Sequence, residues 1–394
     1  MKILVSILIF LIGYNSASQN RITPLSTNAE ISVITIGPGP ELYDSFGHTA
    51  VRVHDPRRGL DIVFNYGIFD FDTPNFYGKF AQGKLLYKLG VSPFDDFLSN
   101  YVAQERSVRS QKLQQSAKEK QALFSFLVEN AKEENSKYLY DFLYDNCATR
   151  PANAINNIYA KGVFDNFQPE PEGLTHRQLI QNNVPWNSWG SFGMDIAIGS
   201  VTDRPVHKDA YLFLPKYLEE ALSKAKSSNG NLAEPVEILY NPKTPNVYRE
   251  NWITSPLIVF LLLGLLILYR TITDRKKNKG ITVLDKTLLI ITGVIGILLA
   301  LLWFATEHAP TKWNYNLLWA FPFHLFAGFV LRKNQNKKWL YPYIKLALIM
   351  LALMVFHWIV GVQRFPLVLI PLLLAIAYRY NYTLREIKKT RTKK

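Results

Sequence analysis

The chain has 394 residues, a formal net charge of +14, 48% hydrophobic residues and one cysteine. That length holds one well-buried soluble domain plus something else, and a lone cysteine excludes an internal disulfide. A basic balance often accompanies nucleic-acid binding. Here much of the excess sits in short connections between apolar runs, and no nucleic-acid motif or Gly-rich phosphate loop is present.

Met1-Lys2, an apolar run over residues 3–13 and a polar stretch with Ser16 and Ser18 read as a signal peptide, residues 1–18, cleaved before Gln19. The competing reading is an uncleaved anchor, although the apolar run is short for a span. In both cases the following segment, residues 19–250, is exported.

Residues 31–36 alternate and are β-branched, which predicts a strand broken by Gly37-Pro38-Gly39-Pro40. Residues 49–54, starting from His48, and residues 61–67 predict two more strands joined by a turn over 55–59. Such a hairpin sets His48 near the 61–65 end of its neighbour and offers Asn65 first, and Asp61 second, to orient the imidazole. Further strands are expected at 85–90 and 108–113, and helices at 93–102 and 116–134, the latter opened by a Ser116–Glu119 capping box. Residues 138–144 are extended and lead into Cys147, where a helix is predicted to start with Pro151 in its first turn. The fold class is α+β, an antiparallel sheet with packed helices. Residues 174–180 and 215–226 read as helices, and 227–231 as a turn. The Trp- and Gly-rich residues 186–195 fit an acyl groove, a membrane interface or ordinary packing.

Five apolar runs follow, at 253–269, 284–304, 315–331, 340–362 and 365–378, each near the ~20 residues a span needs. They predict an all-α five-helix transmembrane domain, residues 251–380, and a basic tail, 381–394. Lys and Arg cluster after the first run (Arg270, Arg275, Lys276, Lys277, Lys279), after the third (Arg332, Lys333, Lys337, Lys338) and in the tail. The opposite connections carry only Lys312 and Arg364. The positive-inside rule then puts the first domain outside and the C-terminus in the cytoplasm. His308, in the outward connection, is on the side of Cys147; His324 and His357 fall within spans and read as cross-helix bonds.

An exported lone cysteine is either an inert buried thiol or a nucleophile. The polar Asp145-Asn146-Cys147-Ala148-Thr149-Arg150 setting favours the nucleophile. A helix N-terminus stabilises a thiolate, His48 supplies a base and Asn65 an orienter, the logic of acyl transfer. The Cys147 backbone N–H is a candidate oxyanion donor, with Tyr144, Asn146 or Tyr43 as further candidates. His48 and His54 lie six apart with no ligand cluster around them, so neither a metal nor a cofactor is expected.

His-before-Cys order resembles the circularly permuted papain-like enzymes. More narrowly, Phe46-Gly47-His48-Thr49-Ala50-Val51-Arg52-Val53, Phe64-Asn65-Tyr66-Gly67-Ile68-Phe69-Asp70-Phe71 and Asp145-Asn146-Cys147-Ala148-Thr149-Arg150 resemble the Lnb family of lipoprotein N-acyltransferases. The resemblance extends to the layout of an exported domain followed by several spans. It implies a bacterial inner-membrane protein with a periplasmic catalytic domain, Cys147 as nucleophile and His48 as base. Its implied partners are the bilayer, a phospholipid acyl donor and a diacylated lipoprotein acceptor. The rival readings are a membrane-anchored cysteine hydrolase (phospholipase or peptidase) and a non-catalytic membrane receptor.

Overall fold

The computed structural model describes residues 23–159, 162–227, 230–331 and 338–392. The expected signal segment, residues 1–18, and most of the basic connection after the third apolar run lie outside them.

A seven-stranded antiparallel sheet organises the first half, running from Lys137–Leu139 at one edge through Leu86–Pro93, Leu60–Ile68, His48–Asp55, Glu30–Ile36 and Val108–Lys112 to Glu237–Tyr240 at the other. Its centre is β1 (Glu30–Ile36), β2 (His48–Asp55) and β3 (Leu60–Ile68). After β3 comes a short helix, α1 (Phe76–Gln82), which was not expected. Then follow β4 (Leu86–Pro93), α2 (Phe94–Ala103), β5 (Val108–Lys112), α3 (Ala117–Asn130), β6 (Lys137–Leu139) and α4 (Thr149–Tyr159). Period-two alternation sends Ile31, Val33, Val51, Val53, Phe64 and Tyr66 into the main core, shared with α3, α4 and later helices. The other face, with Ile34, Ile36, Ala50 and Val63, is covered by Phe94, Phe97 and Tyr101 of α2. The Ser116–Glu119 capping box opens α3 as expected. The helix ends four residues early, where Asn130 and Asn135 turn their amides onto the Phe126 and Glu129 carbonyls.

Three short helices, α5 (His176–Gln181), α6 (Trp189–Ala197) and α7 (Pro215–Lys224), complete the domain. A minimal hairpin of β7 (Lys226–Ser227) and β8 (Gly230–Asn231) leads to β9 (Glu237–Tyr240), which pairs with β5 at the sheet edge.

The helical half contains α8 (Pro256–Lys276), α9 (Val283–Phe304), α10 (Phe323–Val330), α11 (Leu340–Ile359) and α12 (Ile370–Thr392). Four helices among the described residues are long and apolar enough to cross a membrane. The third apolar run departs from the expected single helix. It splits into a 3-10 turn, Tyr315–Leu318, and the eight-residue α10, because Pro322 cannot continue a helix and two asparagines ahead of it bond elsewhere. It still descends the full flank of α9. Gly296 lies against Ala320, Gly293 against Leu325, and Gly328 against Lys286 near the start of α9. The missing side chains let the backbones approach closely, as small residues do between membrane helices. At the far end Arg379, fully buried, donates to Asp285 (2.8 Å), Asp274 (2.8 Å) and Thr282 (2.7 Å), tying α8, α9 and α12 together. α12 is continuous across residue 380, where the sequence alone set the start of a tail.

The two halves meet through α6. Trp189 and Phe192 pack on Phe260 of α8, with centroids 5.7 and 4.9 Å apart, and the Trp189 indole donates to the Thr254 carbonyl. Of the three readings of residues 186–195, Phe192 follows the packing one, while Trp189 and Trp186 stay 39% and 60% exposed. Beyond α6, the Gly199 N–H donates to Pro310 (2.8 Å) and that of Ser200 to Trp313 (3.0 Å). The Asn314 amide caps the Ile196 and Ala197 carbonyls. Behind this seam Arg177, fully buried, holds Asp195 and Asp203.

Candidate functional site: a thiol, an imidazole and an amide

Strand register explains how His48 and Asn65 meet. β2 and β3 pair Val51 with Phe64, so continuing that register sets His48 across from Gly67. Asn65 is then the diagonal neighbour on the same face of the pleat. His48 Nε2 is 2.6 Å from Asn65 Oδ1. Asp61, the second candidate, is occupied elsewhere: both its oxygens accept from Arg52, at 2.7 and 2.6 Å.

Gly67 marks where residue 147 approaches the sheet. Its φ is +95°, at an irregularity between Tyr66 and Ile68, and a Cβ placed on it would lie 3.8 Å from the Cys147 Cβ. The positive φ is what favours glycine across from His48, and residue 147 packs against it at ordinary contact distance.

Cys147 enters from the other layer. The six-residue motif around it is a self-contained brace. Asn146 Oδ1 accepts from the Ala148 and Thr149 N–H groups, and its amide donates to the Phe142 and Phe213 carbonyls. Asp145 and Arg150 form a bidentate pair, 2.7 Å at both contacts, with the guanidinium 3.4 Å from the Tyr138 ring centroid. Asn146 is thus the N-cap, Cys147 follows it, and regular helix begins at Thr149, two residues beyond the expected Cys147. With every polar atom of its amide engaged, Asn146 is removed from the candidate oxyanion donors. Tyr43 and Tyr144 are 67% and 58% exposed.

The thiol and the imidazole lie close enough that each shifts the other's titration. Nε2 faces Asn65, which leaves Nδ1 for the sulfur. Burial pushes the Cys147 thiol up, but the His48 charge and hydrogen bond, with the backbone N–H groups of Thr49 and of Cys147 itself, outweigh it and hold the thiol below its usual range. Burial disfavours a charged His48, and the sulfur and Asn65 outweigh that and raise it. Arg106 opposes it weakly; this buried side chain is fixed by the Gly37 carbonyl and Asp44. Both directions favour a thiolate–imidazolium pair. Tyr101, stacked 6.3 Å from the imidazole, is pushed by burial up to about 12 and stays a neutral phenol.

Sequence reasoning missed the Thr49 N–H. It is free for the sulfur because the β2–β3 ladder runs only from Val51 to Asp55. His176 packs on Tyr144 and Phe213 beside the Cys147 motif, 5.8 Å from each ring, and the three histidines of the helical half bond elsewhere. His308 Nε2 is 3.0 Å from the Phe80 carbonyl, while His324 faces the Tyr343 hydroxyl and His357 the Leu353 carbonyl. Among the described residues no three His, Cys, Asp or Glu side chains gather as a metal site.

Residues 21–182 match the model of the Lnb N-terminal periplasmic domain, and residues 248–391 match that of the Lnb transmembrane domain. No curated protein and no solved structure matches the chain. The two matches follow one another in the order of the two halves described above, and His48, Asn65 and Cys147 all fall in the first. The chain belongs to the Lnb family: it is a membrane-anchored lipoprotein-processing protein with a periplasmic N-terminal domain on a transmembrane domain.

Proposed function

We propose that the protein is a thiol-dependent lipoprotein N-acyltransferase, moving a fatty acyl chain from a phospholipid to the N-terminal amine of a diacylglyceryl-cysteine lipoprotein. The observation that carries this reading is His48 held between Cys147 and Asn65 in a domain seamed to the transmembrane bundle.

In the first half-reaction the Cys147 thiolate attacks the ester carbonyl of the phospholipid. The S–C bond forms, the C–O bond breaks, and His48 gives its proton to the departing alkoxide. A thioester, a lysophospholipid and a neutral imidazole result. In the second half-reaction the neutral lipoprotein amine attacks the thioester, His48 takes the amine's proton, and the thiolate leaves. The starting ion pair is restored. The Cys147 N–H, beside the sulfur, is suited to the oxyanion of each tetrahedral intermediate. Asn65 keeps a proton on Nε2 and so keeps Nδ1 aimed at the chemistry. The bundle would hold both lipids beside the site, replacing an encounter in bulk with a positioned one.

The basic ends after α8 and along α12 lie away from the periplasmic domain, which supports a cytoplasmic C-terminus by the positive-inside rule. The decisive test is Cys147→Ala at unchanged expression. Intact-mass spectrometry of lipoprotein N-termini is expected to show diacylated forms only, and full N-acylation would remove Cys147 from the mechanism.

A further inference from the structure

Between the thiol site and the membrane lies an element that the chemistry above does not use. Helix α1 and the segment before it carry Phe69, Phe71, Phe76, Tyr77 and Phe80. Three are strongly exposed: Phe71 at 64%, Tyr77 at 79% and Phe80 at 53%. Contiguous exposed aromatic surface of this kind marks an interaction site on a folded protein.

The height of α1 is fixed by the transmembrane domain. The Gln82 carbonyl accepts from the Glu307 N–H at 3.0 Å, and His308 is 3.0 Å from the Phe80 carbonyl. Glu307 and His308 directly follow the outer end of α9, which terminates in Trp303 and Phe304. Trp303 stacks on Phe304 (4.7 Å) and contacts Trp313 (5.4 Å), and Phe304 and Trp313 are 73% and 56% exposed. Exposed indole and phenyl rings at a helix end are the mark of the bilayer interface. The aromatic surface of α1 continues that belt.

From this belt the rings lead inward without a break. Phe80 faces Phe76 at 6.3 Å, Phe76 meets Phe69 at 6.0 Å, Phe69 meets Tyr87 at 5.3 Å, and Tyr87 stacks on Tyr140 at 4.4 Å. Tyr140 and Cys147 then flank the same glycine, 3.7 and 3.8 Å from where a Gly67 Cβ would stand.

We propose that α1 dips into the outer leaflet and that a phospholipid acyl chain lies along the ring path from Phe80 to Tyr140, delivering its ester to Cys147. This rests on the acyltransferase reading for the use made of the chain, but the lipid contact itself does not. An acyl chain fits the path because the rings offer apolar area and, along most of it, no charge. Continuity with the membrane-facing surface of α9 makes the bilayer the occupant.

The test uses the full chain in vesicles of phosphatidylethanolamine and phosphatidylglycerol, with a phosphatidylethanolamine carrying a diazirine at its acyl end. After irradiation, mass spectrometry is expected to find lipid adducts on residues 69–83 in both the unmodified protein and Cys147→Ala. Phe71→Ser/Tyr77→Ser/Phe80→Ser should lower those adducts at least tenfold and slow thioester formation from vesicle lipid at least fivefold. Alkylation of Cys147 by iodoacetamide at the parental rate shows that the variant is folded. Adducts confined to the long helices, or parental thioester formation by the triple variant, overturn the proposal. Adducts on α1 with no thioester in the unmodified protein support the lipid surface and sink the nucleophile. If the triple variant loses alkylation, the adduct pattern of the other two proteins decides.

Discussion

The imidazole of His48 and the amide of Asn65 stand 2.6 Å apart on neighbouring strands. Their meeting is a consequence of register, since β2 and β3 slide past each other with no bulge between Val51 and Asp55. A one-residue slip would send Asn65 to the opposite face of the sheet. The side chain that selects the reactive tautomer is thus fixed by the same hydrophobic alternation that builds the core.

Asn65→Ala removes a bond that favours the charged imidazole, so the His48 pKa falls. The reactive pair exists above the Cys147 pKa and below that of His48. The variant's rate should therefore drop about tenfold, from the ~1–1.5 kcal/mol of one hydrogen bond, and its alkaline limb should move to lower pH. Asn65→Asp adds a negative charge beside Nε2 and should move that limb to higher pH. Single-turnover acyl transfer measured across pH distinguishes the two, and limbs that stay put in both would show that Asn65 does not govern the imidazole.

The thiol itself can be read without substrate. Cys147 is lowered by His48 against the upward push of burial, so thiolate persists below the ordinary thiol range and is lost only as pH falls through the depressed value. His48→Ala leaves the burial and removes the charge. Its iodoacetamide alkylation should rise with pH along a curve displaced upward. Coincident curves for parent and variant would mean that the imidazole and the sulfur do not interact.

Much of this was legible before any coordinates. Alternation exposed the central strands, the lone cysteine and the Phe-Gly-His stretch marked the pair, and the hairpin between them pointed to Asn65. What escaped shares a cause, because it depends on which residues meet across long separations. β9 is four residues whose reason for being a strand is β5, more than a hundred positions earlier. Helix α1 has no useful period, and its aromatic density was the only signal. The third apolar run looked like one helix by hydropathy, which is blind to Pro322 and to Asn314 and Asn316, whose amides reach back to α6.

Those contacts matter for stability as well as placement. The Arg177 side chain is fully buried between Asp195 and Asp203, themselves 7% and 2% exposed. Removing one partner from a buried ion group typically costs about 3–5 kcal/mol. Arg177→Met is expected to lower the unfolding temperature of the purified full chain sharply or to prevent its accumulation. Adding Asp195→Asn and Asp203→Asn should recover part of the loss, since no unpaired charge remains buried. Parental unfolding of the single variant would show that the triad is not holding α5 to the seam.

The seam itself can be tested at one atom. Gly199 has φ −98°, open to any residue, so a substitution there has no backbone penalty of its own. A Cβ, however, would sit 2.0 Å from the Lys312 carbonyl oxygen and 2.8 Å from its carbon. The strand of backbone opposite cannot simply retreat, because the N–H groups of Gly199 and Ser200 bond to Pro310 and Trp313 on either side. Gly199→Ala should therefore part the periplasmic domain from residues 310–313, at about 1–3 kcal/mol for an overpacked contact. The bonds that position Cys147 and His48 involve no residue of that contact, so alkylation of the thiol should be unaffected. Transfer from vesicle lipid, which needs the site held at a set height, should fall about tenfold, and trypsin should cut faster after Lys312, the exposed residue at the seam itself. Parental transfer together with parental trypsin resistance would show that the junction yields freely and that the bundle does not fix where the thiol stands.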